Sequence, residues 1–183
     1  MLFALKRIDL VEGFQGVAFG TMDGLITILG VVIGIANATQ NSAIVVISGL
    51  VAGVANAFGN SIGFYASELA ERAEHLHENQ HVSSMTEARR STLLSFLTSL
   101  ASMAVPVVPF TILANLQLAM VVSLIAALAT LFALGSMVGK LSREKPWKFG
   151  LRYVLLGLAG AGLSYIVGDV LKDLLTVGHW IIP

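Results

Sequence analysis

Five long runs of apolar residues follow one another along the chain, and each is long enough to cross a bilayer as a helix of about 20 residues. They cover roughly residues 14–36, 43–67, 92–114, 117–139 and 150–171. The polar connections at 37–42 and 115–116 are short, so the first two spans, and the third and fourth, are predicted to form antiparallel hairpins. The pattern predicts an all-α integral membrane protein with a single membrane domain over residues 1–183.

The composition supports this class of protein. The 183 residues are 56% hydrophobic and 12% charged, whereas soluble domains are about a quarter charged. Cysteine is absent, which excludes disulfides and thiolate metal sites. The net charge of zero gives no sign of nucleic-acid binding, and the sequence contains no Ser-His-Asp set, P-loop, GxGxxG or HExxH motif. We therefore expect a protein that is not an enzyme and has no nucleic-acid partner.

The basic residues predict the orientation of the spans. With the N-terminus inside the cell, only Lys172 of the 11 lysines and arginines lies on the outer side. This bias follows the positive-inside rule, so the chain is predicted to run N-in and C-out. Residues 2–12 are expected to form a short amphipathic helix on the membrane surface. No targeting peptide is evident, and the short chain suits a prokaryotic plasma membrane.

The first span contains a carboxylate. Asp23 lies within the apolar run 17–36, and no lysine or arginine occurs between Glu12 and Ser67 to pair with it locally. A charged side chain at that depth is costly unless it faces water, an ion, a partner charge or the protein interior. The first hypothesis is therefore a pathway for a cation or a proton that passes Asp23.

Prolines and glycines in the spans bear on helix packing. Pro106 and Pro109 fall inside the third span and should kink or break its helix. The first span carries two glycine pairs with the spacing of close helix–helix contacts, Gly20 with Gly24 and Gly30 with Gly34. The sequence leaves open whether these pairs join helices within one chain or between two copies of it.

A stripe of polar residues follows one face of the second span. Its members recur every three or four residues, the helical period: Asn56, Asn60, Gly63, Ser67, Glu71, Glu74 and Glu78. No helix breaker interrupts residues 64–80. The second span is therefore predicted to continue as a helix beyond the bilayer, into a short acidic cytoplasmic segment at 68–91.

This extension is rich in metal-ligating side chains. The candidate ligands are Glu68, Glu71, Glu74, His75 and Glu78. Glu71 and His75 are four residues apart and share a helix face. Carboxylate with imidazole suits Fe(II), Mn(II), Zn(II) or Co(II). The alternative is a solvated helix whose glutamates contact Arg72 and bind no metal.

Four motifs, in order along nearly the whole chain, resemble those of the vacuolar iron transporter-like family. The stretch Phe19–Thr27 (FGTMDGLIT) resembles the first-span signature of that family, and Gly49–Gly53 (GLVAG) resembles the start of its second span. Pro106–Phe110 (PVVPF) resembles its third-span pattern, and Leu156–Gly168 resembles its last span. The chain is thus similar to a short member of this family.

The resemblance implies a homodimer through the first span and proton-coupled export of Fe(II), and often Mn(II), from the cytosol. The family's first-span aspartate corresponds to Asp23, and Thr27 ends the same motif. Its second-span methionine and glutamate correspond to Asn56 and Asn60, so a soft ligand and one negative charge per subunit are lost. Larger members carry a Glu-rich cytoplasmic domain between spans 2 and 3, of which this chain keeps only the beginning.

These observations give three hypotheses. The first is a metal/proton antiporter for Fe(II) or Mn(II), with Zn(II) or Co(II) as further substrates in vitro and no permanently bound cofactor. Its path would contain Asp23, Asn56, Asn60 and Thr27, and its partners would be the lipid bilayer, metal ions, protons and a second copy. The second is a non-transporting metal-sensing or scaffold protein, and the third is a transporter of another cation or a small polar solute.

Overall fold

The structure, a computed structural model, describes residues 2–77 and 85–177, and the surroundings of side chains in 14–74 and 85–174. The described residues form helices joined by short turns, without strands. The helices are α1 (Leu2–Thr39), α2 (Ser42–His77), α3 (Met85–Ser102), α4 (Ala104–Ile112), α5 (Leu116–Leu141) and α6 (Pro146–Val177). Five segments are long and apolar enough to span a membrane: Phe14–Thr39, Ser42–Glu74, Met85–Ile112, Leu116–Leu141 and Pro146–Leu174. The predicted all-α, five-span architecture is confirmed.

Helix α1 is the centre of the bundle. It packs against each of the other five helices, and α2, α3 and α6 are its most extensive neighbours. The α1 side chains in the core are Leu25, Ile28, Leu29, Val32, Ile33 and Ala36. By contrast, α2, α5 and α6 leave many large apolar side chains exposed on their outer faces, as a surface that meets lipid requires.

Glycines allow α1 to approach α3 and α6 very closely. A Cβ built on Gly20 would lie well within 3.0 Å of the carbonyl oxygen of Ser95 in α3. A Cβ built on Gly34 would lie 2.9 Å from the carbonyl oxygen of Ser164 in α6. Both glycine pairs of the first span therefore join helices within the chain, which answers the question that their spacing left open.

The third span is interrupted, as its prolines predict. Helix α3 ends at Ser102 and α4 begins at Ala104, because Pro106 has no N–H to donate to the carbonyl of Ser102. The Ser123 hydroxyl of α5 donates to the Pro106 carbonyl at 2.8 Å and ties α4 to α5. The break is thus covered by a neighbouring helix, as backbone at membrane depth requires.

The two predicted hairpins are present and capped by side chains. Gln40, between α1 and α2, adopts a left-handed φ of 52°, and its Nε2 donates to the carbonyls of Ala36 and Asn37. Asn41 accepts from two N–H groups of the first turn of α2, and Asn115 accepts from the first turn of α5. These caps satisfy backbone groups that would otherwise end the helices unpaired.

Helices α1 and α2 both extend well beyond the thickness of the hydrocarbon core. The 36 residues of α2 measure about 54 Å, against a hydrocarbon core of about 30 Å, so the predicted continuation of the second span is present as far as His77. The remainder of the predicted helix, residues 78–80, lies outside the described residues. Residues 2–12 are helical, but they run without a break into the first span as part of α1. The expectation of a short helix confined to these residues is wrong, because the helix continues through Gly13 into the span. Its placement on the membrane surface stays a prediction.

Candidate metal-ion site

Asp23 lies in α1, about 14 Å along the helix from the first residue of the span, and is partly buried. Among the described residues, the hydrogen-bond partners of its side chain are two asparagines of α2. Asn56 Nδ2 donates to Asp23 Oδ2 at 2.7 Å, and Asn60 Nδ2 donates to the same oxygen. Hydrogen bonds to a charged group each contribute about 1.5–3 kcal/mol. The structure therefore brings together three of the predicted path residues, whose role in transport stays a prediction.

The register of α1 against α2 explains this contact. Asn56 and Asn60 are four residues apart and so share one face of α2. Phe19, one turn before Asp23, stacks against Phe64, one turn after Asn60, with ring centroids 5.2 Å apart. The aromatic pair therefore closes one side of the site and holds the two antiparallel helices in the register that the hydrogen bonds need.

The second carboxylate oxygen of Asp23 is open. Among the described residues, none donates a hydrogen bond to Asp23 Oδ1. Asp23 Oδ1 is also not fully buried. Within the described residues, the fully buried side-chain polar atoms without a hydrogen-bond partner are Ser95 Oγ and Ser99 Oγ. An accessible, uncommitted oxygen beside two fixed amides can take up a cation or a proton without breaking an existing hydrogen bond.

Thr27 lies one turn beyond Asp23 and does not bond to it. It lines a groove of about 510 Å³ between α1 and α6, whose floor is formed by small residues such as Gly30 and Gly34. Beyond Gly34, the buried Asn37 donates to the Tyr165 carbonyl at 3.0 Å and to Asp169 Oδ1 at 3.5 Å. Sequence reasoning missed this pair. The available signal was that Asn37 follows Gly34 at helical spacing on the same face.

The acidic residues at the end of α2 do not converge. Glu68 is partly buried, whereas Glu71 and Glu74 are exposed. Among the residues that the structure describes, no group of three or more histidines and carboxylates is placed to hold a metal ion. The side chain of His75 and the whole of Glu78 lie outside the described residues. The ligand set predicted for this segment is therefore not assembled by its described members.

A row of serines in α3 was also missed by sequence reasoning. Four serines, spaced three or four residues apart, are buried against the glycines of α1: Ser91, Ser95, Ser99 and Ser102. Their small side chains let α3 meet the α1 backbone, and this packing supports the segment that carries Asp23. The signal was present in the sequence as a serine recurring at the helical period.

Fold and site together define a class, a helical integral membrane protein with a carboxylate on the central helix of its bundle. Comparison with known proteins narrows this class. The model of the VIT family, the vacuolar iron transporters, matches residues 14–90 and 73–169, which make up most of the chain. The chain therefore belongs to the VIT family, as its four motifs predicted.

A relative from an archaeon is similar to this chain over most of its length. Over 179 residues the chain is 30% identical to the uncharacterized protein MJ0645 of Methanocaldococcus jannaschii, with 87% of this chain and 92% of that protein covered. That relative has no described function. The VIT family itself consists of membrane transporters of metal ions and not of enzymes. Membership therefore supports a membrane metal-ion transporter as the general class of this chain.

Proposed function

We propose that this chain is a divalent metal/proton antiporter that moves Fe(II) or Mn(II) out of the cytosol. The observation that carries the proposal is the Asp23 carboxylate, with one oxygen held by Asn56 and Asn60 and the other accessible. A carboxylate at membrane depth is a binding point for cations and protons, and binding either one disfavours the other. Exchange at Asp23 would then couple metal movement to opposite proton movement.

A second copy of the chain would complete the site. Between α2 and α6 one face of α1 remains open, where Thr27 and Gly30 line the groove against α6. Two copies that meet through this face in a two-fold dimer would bring two Asp23 carboxylates near one axis. Two negative charges would then balance one divalent cation. Support for the dimer comes from this open face and from the family. The glycine pairs of the first span give no such support, because they already join helices within the chain.

The asparagines would act in two ways. Without metal, their amide groups donate to Asp23 and stabilise its charge. With metal, rotation of either amide would present a carbonyl oxygen, which is a hard ligand. A site of carboxylate and carbonyl oxygens suits Mn(II) and Fe(II) better than soft ions that prefer sulfur ligands.

The acidic end of α2 would serve as an entry region. Glu68, Glu71 and Glu74, with His75 and Glu78 beyond them, would raise the local concentration of cations near the path. The positive-inside bias supports a cytosolic location for this end and for the N-terminus. We further propose that the membrane is the plasma membrane of a prokaryote.

The test is metal uptake into proteoliposomes that contain an internal pH dye, with wild type compared with Asp23→Asn. We expect flux of Fe(II) or Mn(II) with opposite proton movement, reduced more than about 100-fold in the variant, because loss of supporting residues alone costs about 10–100-fold. Asp173→Asn, an exposed carboxylate of α6, is the matched control and should keep its flux.

Two results would oppose this proposal. Unchanged flux in a folded Asp23→Asn dimer would remove Asp23 from the mechanism. Absence of flux from well-folded wild type, with metal still bound, would favour the metal-sensing or scaffold alternative.

A further inference from the structure

A second groove lies between α2 and α3, on the face of α2 opposite Asn56 and Asn60. Its volume is about 520 Å³. The α2 wall carries Phe58, Ser61, Ile62 and Tyr65, and the α3 wall carries Arg89, Thr92, Leu93 and Phe96. From Phe58 to Tyr65 the groove follows α2 for about 10 Å, along the direction in which a spanning helix crosses the bilayer.

The surface of this groove is apolar, although the hydroxyl residues Ser61 and Thr92 line it. The Ser61 hydroxyl donates to the Ala57 carbonyl at 2.6 Å, and the Thr92 hydroxyl donates to the Ala88 carbonyl at 2.8 Å. Both hydroxyls are therefore engaged within their own helices. The rings of Phe58 and Phe96 meet edge to face at 4.9 Å and close the groove towards the middle of the bilayer.

The other end of the groove carries a cationic side chain. Arg89 lines it and is exposed, and the Tyr65 hydroxyl lies 3.5 Å from Met85 Sδ at the same end. Arg72 lies two turns beyond Tyr65 on the same face of α2, and Glu68 lies at the edge of that face. Arg72 and Glu68 carry opposite charges, so Arg89 is the cationic side chain that lines the groove itself.

We propose that this groove binds one anionic phospholipid. An acyl chain would lie between the phenylalanine pair and Tyr65, and the phosphate would bind Arg89 at the rim. A basic residue at the end of an apolar groove between spanning helices is the arrangement that anionic head groups recognise. A zwitterionic lipid offers the same acyl chain without the net charge, and free phosphate offers the charge without the chain.

The test is a lipid titration of the full-length protein in neutral detergent, followed by native mass spectrometry. Phosphatidylglycerol should bind more tightly than phosphatidylcholine. Arg89→Gln should weaken phosphatidylglycerol binding about fivefold and leave phosphatidylcholine binding unchanged. Arg90→Gln, the neighbouring exposed arginine that does not line the groove, should bind like wild type. Thr92→Trp, which fills the groove, should weaken the binding of both lipids.

Three results would overturn the proposal. The first is equal phosphatidylglycerol binding by wild type and Arg89→Gln. The second is an equal loss in Arg90→Gln, which would show a diffuse basic surface and not a groove. The third is displacement of phosphatidylglycerol by glycerol 3-phosphate at matched concentration, which would make this a phosphate site without an acyl chain. None of these readouts depends on metal transport.

Discussion

The Asp23 site and the acidic end of α2 are both rich in polar residues, but only the first is assembled in the described structure. Asp23 meets Asn56 and Asn60 because α1 and α2 pack face to face in a matched register. Glu68, Glu71 and Glu74 lie about one turn apart along a single helix, so their carboxylates leave that helix at successive heights. Metal coordination needs ligands that converge from several directions. The two regions differ in whether side chains from two packed helices converge, and not in how many potential ligands they contain.

The largest effect is expected where the packing behind Asp23 is broken. Gly20→Leu would force a side chain into the Ser95 backbone and separate α1 from α3. We expect a loss of about 3 kcal/mol or more in stability, because overpacking against backbone cannot be relieved by a rotamer change. Thermal unfolding in detergent measures this loss.

Gly162→Leu is the control for that substitution. A Cβ on Gly162 meets nothing within 4 Å, and the residue is exposed on α6. Its unfolding midpoint should stay near that of wild type. Equal stability of Gly20→Leu and Gly162→Leu would contradict the close contact between α1 and α3.

The second-largest effect is expected from loss of both amide side chains beside Asp23. The double variant Asn56→Ala with Asn60→Ala should lower metal flux about 10–100-fold, because residues that orient a metal ligand typically contribute that much. The same proteoliposome assay measures it, with Asn115→Ala as a control that removes an asparagine outside the site. Flux within twofold of wild type would show that Asp23 works without its α2 partners.

A smaller and opposite effect is expected from added charge. Asn60→Asp places a second carboxylate beside Asp23, and two like charges 4 Å apart repel by roughly 4 kcal/mol at an effective dielectric constant near 20. A divalent cation relieves this repulsion, so Mn(II) should bind about tenfold more tightly and should raise the unfolding midpoint more than in wild type. A midpoint that Mn(II) leaves unchanged in the variant would place the ion elsewhere.

The smallest effect is expected at the end of α2. The double variant Glu71→Gln with Glu74→Gln should change flux less than about fivefold, because exposed charges typically contribute about 0–1 kcal/mol. Initial transport rates at low metal concentration are the sensitive measurement, since glutamates that concentrate cations near the path would affect how fast an ion is captured. A loss as large as that of the asparagine pair would erase the distinction between the two regions.

Much of this protein follows from its sequence. Apolar length predicts the five spans, since a helix that crosses hydrocarbon must hide its backbone polar groups over about 20 residues. Pro106 predicts the break in the third span, because a missing N–H affects the helix wherever it occurs. Asp23 stands out as a candidate because a charge within an apolar run of spanning length is costly unless it faces water, an ion, a partner charge or the protein interior. The family follows from short motifs in the same order.

The remaining features depend on how helices face one another. Asn56 and Asn60 share a face by their spacing, but only the register against α1 brings both amides to the same oxygen of Asp23. Glycine spacing marks a contact surface without naming its partner, and the structure assigns α3 to Gly20 and α6 to Gly34. Contacts between residues far apart in the chain depend on the packing of whole helices, which local periodicity does not encode. For that reason Asp23 could be found from the sequence, and the arrangement of its partners came only from the tertiary structure.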